Sequence, residues 1–132
     1  MEQPMSDKTF VFSDAINGSY IIELYAGDYV MIEETFSDVL LEYDGFVQKI
    51  NTCFRQGDSS ALKSAVHKIK PLFGFVGLTD LQSRCLQFEN ACLDKTCAEL
   101  NEDYSVLFER LLQARSVIES EHARLVAFNG GR

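Results

Sequence analysis

The sequence predicts an all-α fold: an antiparallel four-helix bundle with a short additional N-terminal helix. Three observations predict it. Beyond about residue 18 the apolar side chains recur at helical rather than strand spacing, and glycines and capping residues punctuate the breaks. The 132 residues are also enough for one domain with a real core.

The elements follow in order. A short helix is expected from Ser19 to Tyr25, stopped by Gly27. Asp28 then caps a long helix whose buried stripe is Ile32, Phe36, Val39, Leu40, Tyr43, Phe46, Val47, Ile50 and Phe54. Gly45 lies inside it at a cost of about 1 kcal/mol relative to alanine, which makes it the place for a bend or break. Gly57 and Asp58 end this helix and begin a third, from Ser59 to Phe75, with Gly77 as its C-terminal stop. Thr79-x-x-Gln82 and Thr96-x-x-Glu99 both read as capping boxes, each opening a further helix. The first of these carries Leu81, Cys85, Phe88 and Cys92 on one face, the second Leu100, Tyr104, Leu107, Leu111, Ala114 and Ile118. Long amphipathic helices with short connections make a bundle. The expected division is a loose tail over 1–18, the bundle over 19–128 and a second tail over 129–132.

Composition narrows the function. With 46% apolar and 24% charged residues the chain is globular, and no apolar run approaches the length of about 20 residues that spans a membrane. The first residues hold Glu2, Asp7 and Asp14 and no basic stretch before an apolar one, so no secretory signal is read and the cytoplasm is the expected compartment. Cys53, Cys85, Cys92 and Cys97 form no Cys-x-x-Cys pair, and Cys85 and Cys92 fall on an apolar stripe, so buried thiols are expected rather than a metal site. A net charge of −8 argues against nucleic acid. There is no Gly-x-x-x-x-Gly-Lys loop, Gly-x-Ser-x-Gly elbow or His-Glu-x-x-His pair, which leaves no nucleotide or zinc chemistry to assign. His122, near the end of the last helix, suits the helix dipole and reads as structural.

The charge distribution says more than its sum. Residues 1–58 carry 11 acidic and 3 basic side chains and residues 78–132 carry 9 and 6, whereas residues 59–77 carry three lysines and no acid. That basic segment holds Val66-His67-Lys68-Ile69-Lys70. At 100° per residue, Leu62, Ala65, Val66, Ile69, Leu72, Phe73 and Val76 collect on one side and His67 points away from them. Lys63, Lys70 and Gly74, at −4, +3 and +7, share its face, which makes a docking place for an anion beside an imidazole. Lys68 points elsewhere. Phe73 falls on the core stripe, Phe75 near the opposite side.

His67-Lys68-Ile69-Lys70, followed by Gly74, Gly77 and Leu78 at +7, +10 and +11, resembles the signature of histidine-containing phosphotransfer (HPt) domains. The Gly27-Asp28 and Gly57-Asp58 turns, Leu81 at +14 and Phe88-Glu89 at +21 and +22 extend the resemblance to roughly residues 19–118. It implies a phosphorelay carrier without kinase activity of its own. His67 would take a phosphoryl group from an aspartyl phosphate on a receiver domain and hand it to another receiver aspartate.

The partners implied are receiver domains of response regulators and of hybrid sensor histidine kinases. Neither nucleic acid nor membrane insertion is implied. The chain itself is expected to be a monomer. No cofactor or metal is implied; Mg²⁺ would belong to the receiver.

The chemistry suits the residues. An imidazole, with a reference pKa of about 6.5, is mostly neutral near pH 7 and offers a lone pair to phosphorus. Lys70 can hold a phosphoryl oxygen, and Lys63 adds a weaker, longer-range charge. Gly74 keeps the face low for a partner, Gly77 stops the helix, and Glu89 can accept from Nδ1 so that Nε2 becomes the nucleophile.

The chain departs from the family pattern at +4 to +6, where it has Pro71-Leu72-Phe73. Pro71 cannot donate to the His67 carbonyl, so a kink is expected within a turn of the histidine. Two rival readings remain. One is a degenerate adaptor that binds receivers without carrying phosphate. The other is an enzyme, such as a helical phosphatase or a kinase fragment, although a kinase would need a nucleotide lobe.

Overall fold

The computed structural model describes residues 9–131, which form five helices and, among the described residues, no strand. They are α1 (Gly18–Leu24), α2 (Tyr29–Arg55), α3 (Ser59–Phe75), α4 (Thr79–Ala91) and α5 (Asn101–Phe128). Helices α2, α3, α4 and α5 close a ring, with α2 against α3 and α5, and α4 against α3 and α5.

Caps set the phase of the first three helices. The side chains of Asn17, Asp28 and Asp58 accept from the backbone amides of Tyr20, Met31 and Ala61 at 3.2, 3.0 and 2.9 Å. Helix α2 runs unbroken through Gly45, which lies exposed with nothing near its missing side chain. Packing on both flanks of α2 outweighs one unfavourable propensity. Helix α3 likewise continues through Pro71, although the His67 carbonyl loses its amide partner there.

The two capping boxes part company. Thr79 is already inside α4, whose cap residue is Leu78 with no side-chain hydrogen bond, so that box does not form. The Leu78 amide instead bonds the Phe73 carbonyl at 2.8 Å, closing a tight turn one residue too early for Thr79 to cap. The Thr96–Glu99 box does form, with amide-to-side-chain bonds of 2.8 and 3.2 Å in the two directions. These bonds hold the Glu99 carboxyl below its usual range. The box orders a turn before α5, which starts only at Asn101.

The core contains the predicted stripes, with Ile32, Phe36, Tyr43, Ile50, Leu62, Ile69, Phe73, Leu100, Leu111 and Ile118 fully buried. Each such aliphatic or aromatic side chain contributes about 1.5–3 kcal/mol. Tyr43 donates its hydroxyl to the Leu111 carbonyl at 2.6 Å and meets the edge of Phe73. Tyr104 stacks on Phe54 at 3.8 Å. All four cysteines are free and buried, Cys85 and Cys92 on the stripe expected for them.

The loose N-terminal tail expected over 1–18 is not loose where it is described. Phe10 and Ile16 are buried, and the Ser13 amide donates to Glu121 Oε2 at 3.0 Å. Arg124 donates to the Val11 carbonyl at 2.8 Å and lies over the Phe10 ring at 4.7 Å. At the other end, Asn129 donates to the Tyr29 carbonyl and to Glu33 at 3.0 and 2.9 Å, so this part of the 129–132 tail is also tied down. Residues 1–8 and Arg132 lie outside the described residues. The segment escaped prediction because it is not helical and its partners lie as far as 113 residues along the chain.

Candidate functional site

Helix α3 presents His67 on the side away from its buried stripe, and the ring is 66% exposed. Helix α4 packs against α3 and brings Glu89 beneath it. Glu89 is one of three buried acidic residues among the described residues, at 4% exposure. Its Oε1 lies 2.9 Å from His67 Nδ1, and its Oε2 lies 2.8 Å from Lys70 Nζ. The Oε2 contact is an ion pair rather than an aligned hydrogen bond. A buried carboxylate thus faces two groups from the neighbouring helix, an exposed ring and an ammonium 19% exposed.

This arrangement follows from local sequence. The three-residue offset between His67 and Lys70 puts both on one helix face. On α4, Leu81, Cys85 and Phe88 fix the buried side, and Glu89, one residue after Phe88, lands at its margin toward α3. Burial pushes the Cys85 thiol up to about 12 and the Cys92 thiol up to about 11, with the negative charge of Glu89 adding to both. Neither thiol is a nucleophile near neutral pH.

The remaining candidates fall around this pair. Lys63 is half-buried one turn before His67, and its charge is felt at Cys92. Gly74 does not leave a low open face as expected. It is buried under the Gln82 side chain, whose Nε2 lies 2.8 Å from where a Cβ would stand. Close packing of α3 on α4 explains the difference, because the space a side chain would occupy is already filled. Gly77 has a positive φ of +76°, and a Cβ there would meet Ile21 at 2.6 Å and Ile16 at 2.8 Å. Its carbonyl also accepts from the Asn17 amide at 2.8 Å, so Gly77 seats α1 against the turn after α3. Lys68 is exposed, and His122 is half-buried near the end of α5.

Sequence reasoning missed the Lys70–Glu89 pair and a groove. The groove begins at Pro71, one turn along α3 from His67, and has a volume of about 670 Å³. Phe75, Leu24 and Met31 line it while remaining 48%, 48% and 49% exposed, and Asp38 and Glu42 add acidic side chains. Tyr25 fixes one wall by donating its hydroxyl to the Phe75 carbonyl at 2.8 Å. The only signal in the sequence was Phe75, out of phase with the core stripe. No group of three or more metal-binding side chains occurs among the described residues, and no described helix is long and apolar enough to cross a membrane.

Comparison with known proteins bears on the same residues. The sequence model of a family described as "Hpt domain" matches residues 34–126. The fold superposes on a crystal structure of the HPt domain from the Hpt sensor hybrid histidine kinase from Shewanella with a TM-score of 0.73 and 19% identity, covering 83% of this chain and 95% of that one. At that identity the likeness establishes the helical-bundle fold. No curated protein matches.

Proposed function

We propose a function from one premise, that this chain belongs to the Hpt domain family, whose members serve histidine phosphotransfer in two-component phosphorelays. The chain is read as a phosphorelay carrier in which His67 takes a phosphoryl group from an aspartyl phosphate on a receiver domain. It then passes the group to another receiver aspartate. The observation that carries the reading is the exposed imidazole whose Nδ1 faces a buried carboxylate at 2.9 Å.

That contact supports an assignment of roles. With the Nδ1 proton directed at Glu89, the lone pair of Nε2 is free on the solvent side to attack phosphorus. Attack forms the N–P bond and breaks the P–O bond, and the aspartate leaves as a carboxylate. Lys70, held by the same glutamate, supplies positive charge next to the incoming group, and Lys63 adds a longer-range contribution. Gly74 and Gly77 act through structure, the one by letting α4 approach and the other by seating α1.

Receiver domains of response regulators and hybrid sensor kinases are the partners in this reading, and the groove from Pro71 to Phe75 is where they seat. Its exposed apolar lining begins a single helical turn from the nucleophile, within reach of one docked surface. The chain needs no cofactor of its own and has no kinase activity of its own. It acts as a monomer in the cytoplasm.

The test is to incubate the chain and its His67→Gln variant with phosphorylated receiver domains, then examine any label for acid lability and base stability. Label on the wild type alone supports the carrier. Receivers that bind the wild type without labelling it would replace the carrier with an adaptor, and Pro71, which strips the His67 carbonyl of its helical partner, would then be the residue to explain.

A further inference from the structure

We propose that the main-chain carbonyl of His67, left without a helical donor by Pro71, is a docking contact that accepts a hydrogen bond from an N–H of the receiver domain. This deepens the carrier reading and rests on its receiver partner.

A proline inside a helix removes the amide that would bond the carbonyl four residues back, and its ring crowds that carbonyl. For Pro71 the residue four back is His67. The core does not call for the ring, because Pro71 is exposed, while Ile69, Leu72 and Phe73, which hold α3 in line across it, are buried. Pro71 and His67 stand one turn apart on the same face and both are exposed. The carbonyl between them therefore opens toward solvent, the side on which helical carbonyls tilt outward.

The carbonyls at the end of α3 are treated differently. Those of Leu72, Phe73 and Gly74 accept from the amides of Val76, Leu78 and Gly77 at 3.2, 2.8 and 3.4 Å. That of Phe75 accepts from the Tyr25 hydroxyl at 2.8 Å. The His67 carbonyl meets a ring carbon where a helical donor would stand. It is also well placed for a partner, since Pro71 forms the near end of the groove in which the receiver is proposed to seat. A carbonyl facing solvent can exchange water for a partner's N–H, whereas one held in an intact helix has its donor already. Because this carbonyl belongs to the main chain of His67, a bond to it registers the partner on the residue that reacts.

The experiment compares wild type, Pro71→Val, and a chain carrying the α-hydroxy acid of valine at 71, whose ester oxygen replaces the N–H while the side chain stays the same. Circular dichroism checks the fold and gives the thermal midpoint. Calorimetric titration gives the affinity for purified receiver domains from the source organism. Pro71→Val restores the helical bond, so its midpoint should rise while its affinity falls about five- to tenfold, the size of one lost hydrogen bond. The ester, which cannot donate to the His67 carbonyl, should recover most of that affinity. A proline with a purely structural role would not move stability and binding in opposite directions.

Wild-type affinity in Pro71→Val, or equal affinities for Pro71→Val and its ester, would overturn the inference while leaving the carrier intact. Failure of every receiver to bind the wild type would instead overturn the receiver reading, and this one with it. Should the ester chain not fold, Pro71→Ala beside Pro71→Val decides. Equal losses in the two support the carbonyl contact, and a loss in Pro71→Ala that Pro71→Val makes good assigns the effect to apolar packing and removes it.

Discussion

Glu89 and Glu121 are both buried glutamates, 4% and 1% exposed, on helices that pack against each other. Glu121 has both oxygens committed to structure: one accepts from the Ser13 amide and the other pairs with Arg124, which in turn grips Val11 and Phe10. Around it Phe10, Phe12, Tyr29 and Phe128 close that end of the bundle in edge-to-face contacts. Glu89 is directed at a ring 66% exposed and at a lysine that gives Oε2 no aligned hydrogen bond. A buried carboxylate is costly in either place. In one it fastens a chain segment; in the other it addresses a side chain that meets solvent. Burial alone does not distinguish the two, whereas the partners do: a backbone amide and an arginine that grips a chain segment for Glu121, an imidazole and a lysine for Glu89.

The largest expected effect falls on the exposed partner. His67→Gln abolishes phosphoryl labelling, while thermal unfolding changes little because the side chain is mostly in solvent. Labelling that survives this change would erase the contrast between the two glutamates. Next comes Gly77→Ala, which combines a positive φ with contacts of 2.6 and 2.8 Å to Ile21 and Ile16 and should cost about 2–4 kcal/mol in urea unfolding. Glu121→Ala should cost about 2 kcal/mol by freeing the 9–17 segment, and leave labelling by phosphorylated receivers as in the wild type. If Glu121→Ala changed labelling instead, the two carboxylates would not be separate in role.

Smaller effects sharpen the picture. The thiols of Cys85 and Cys92 are raised by burial to about 12 and 11 from an ordinary 9.0. Because the folded state holds these protons more tightly than the unfolded one, their contribution to stability is complete below about pH 9. It is lost as pH rises toward 11–12. Urea midpoints measured from pH 7 to 11 should show that decline, reduced in Cys85→Ala relative to its own value at pH 7. Gly74→Ala should be the mildest, under about 1 kcal/mol, because the atom in its way is the far end of the Gln82 side chain, which can swing aside.

The fold was legible because its helices are governed by near neighbours. The stripes of α2, α3 and α5 and the caps at Asp28 and Asp58 follow from spacing that one sequence displays. The exposed face of His67 followed from the same arithmetic. What was not legible depends on chain segments meeting from far apart. Phe10, Val11 and Ser13 lie in an irregular segment with no periodicity to betray Arg124 and Glu121 as partners. Gly74 looked open because a sequence cannot show that Gln82 fills the space above it. The Lys70–Glu89 pair was not legible because its two members sit on different helices. The groove escaped notice because α1, α2 and α3 each supply only a few of its side chains.

A two-receiver pulse and chase decides whether the phosphoryl group resides on His67. Radiolabelled phosphate on one receiver domain is mixed with the purified chain, the donor is removed, and a second, unlabelled receiver is added. Label is expected first on His67 and then on the second receiver, with none moving through His67→Gln. Label that never resides on the chain, or that reaches the second receiver equally well through His67→Gln, would contradict the carrier reading.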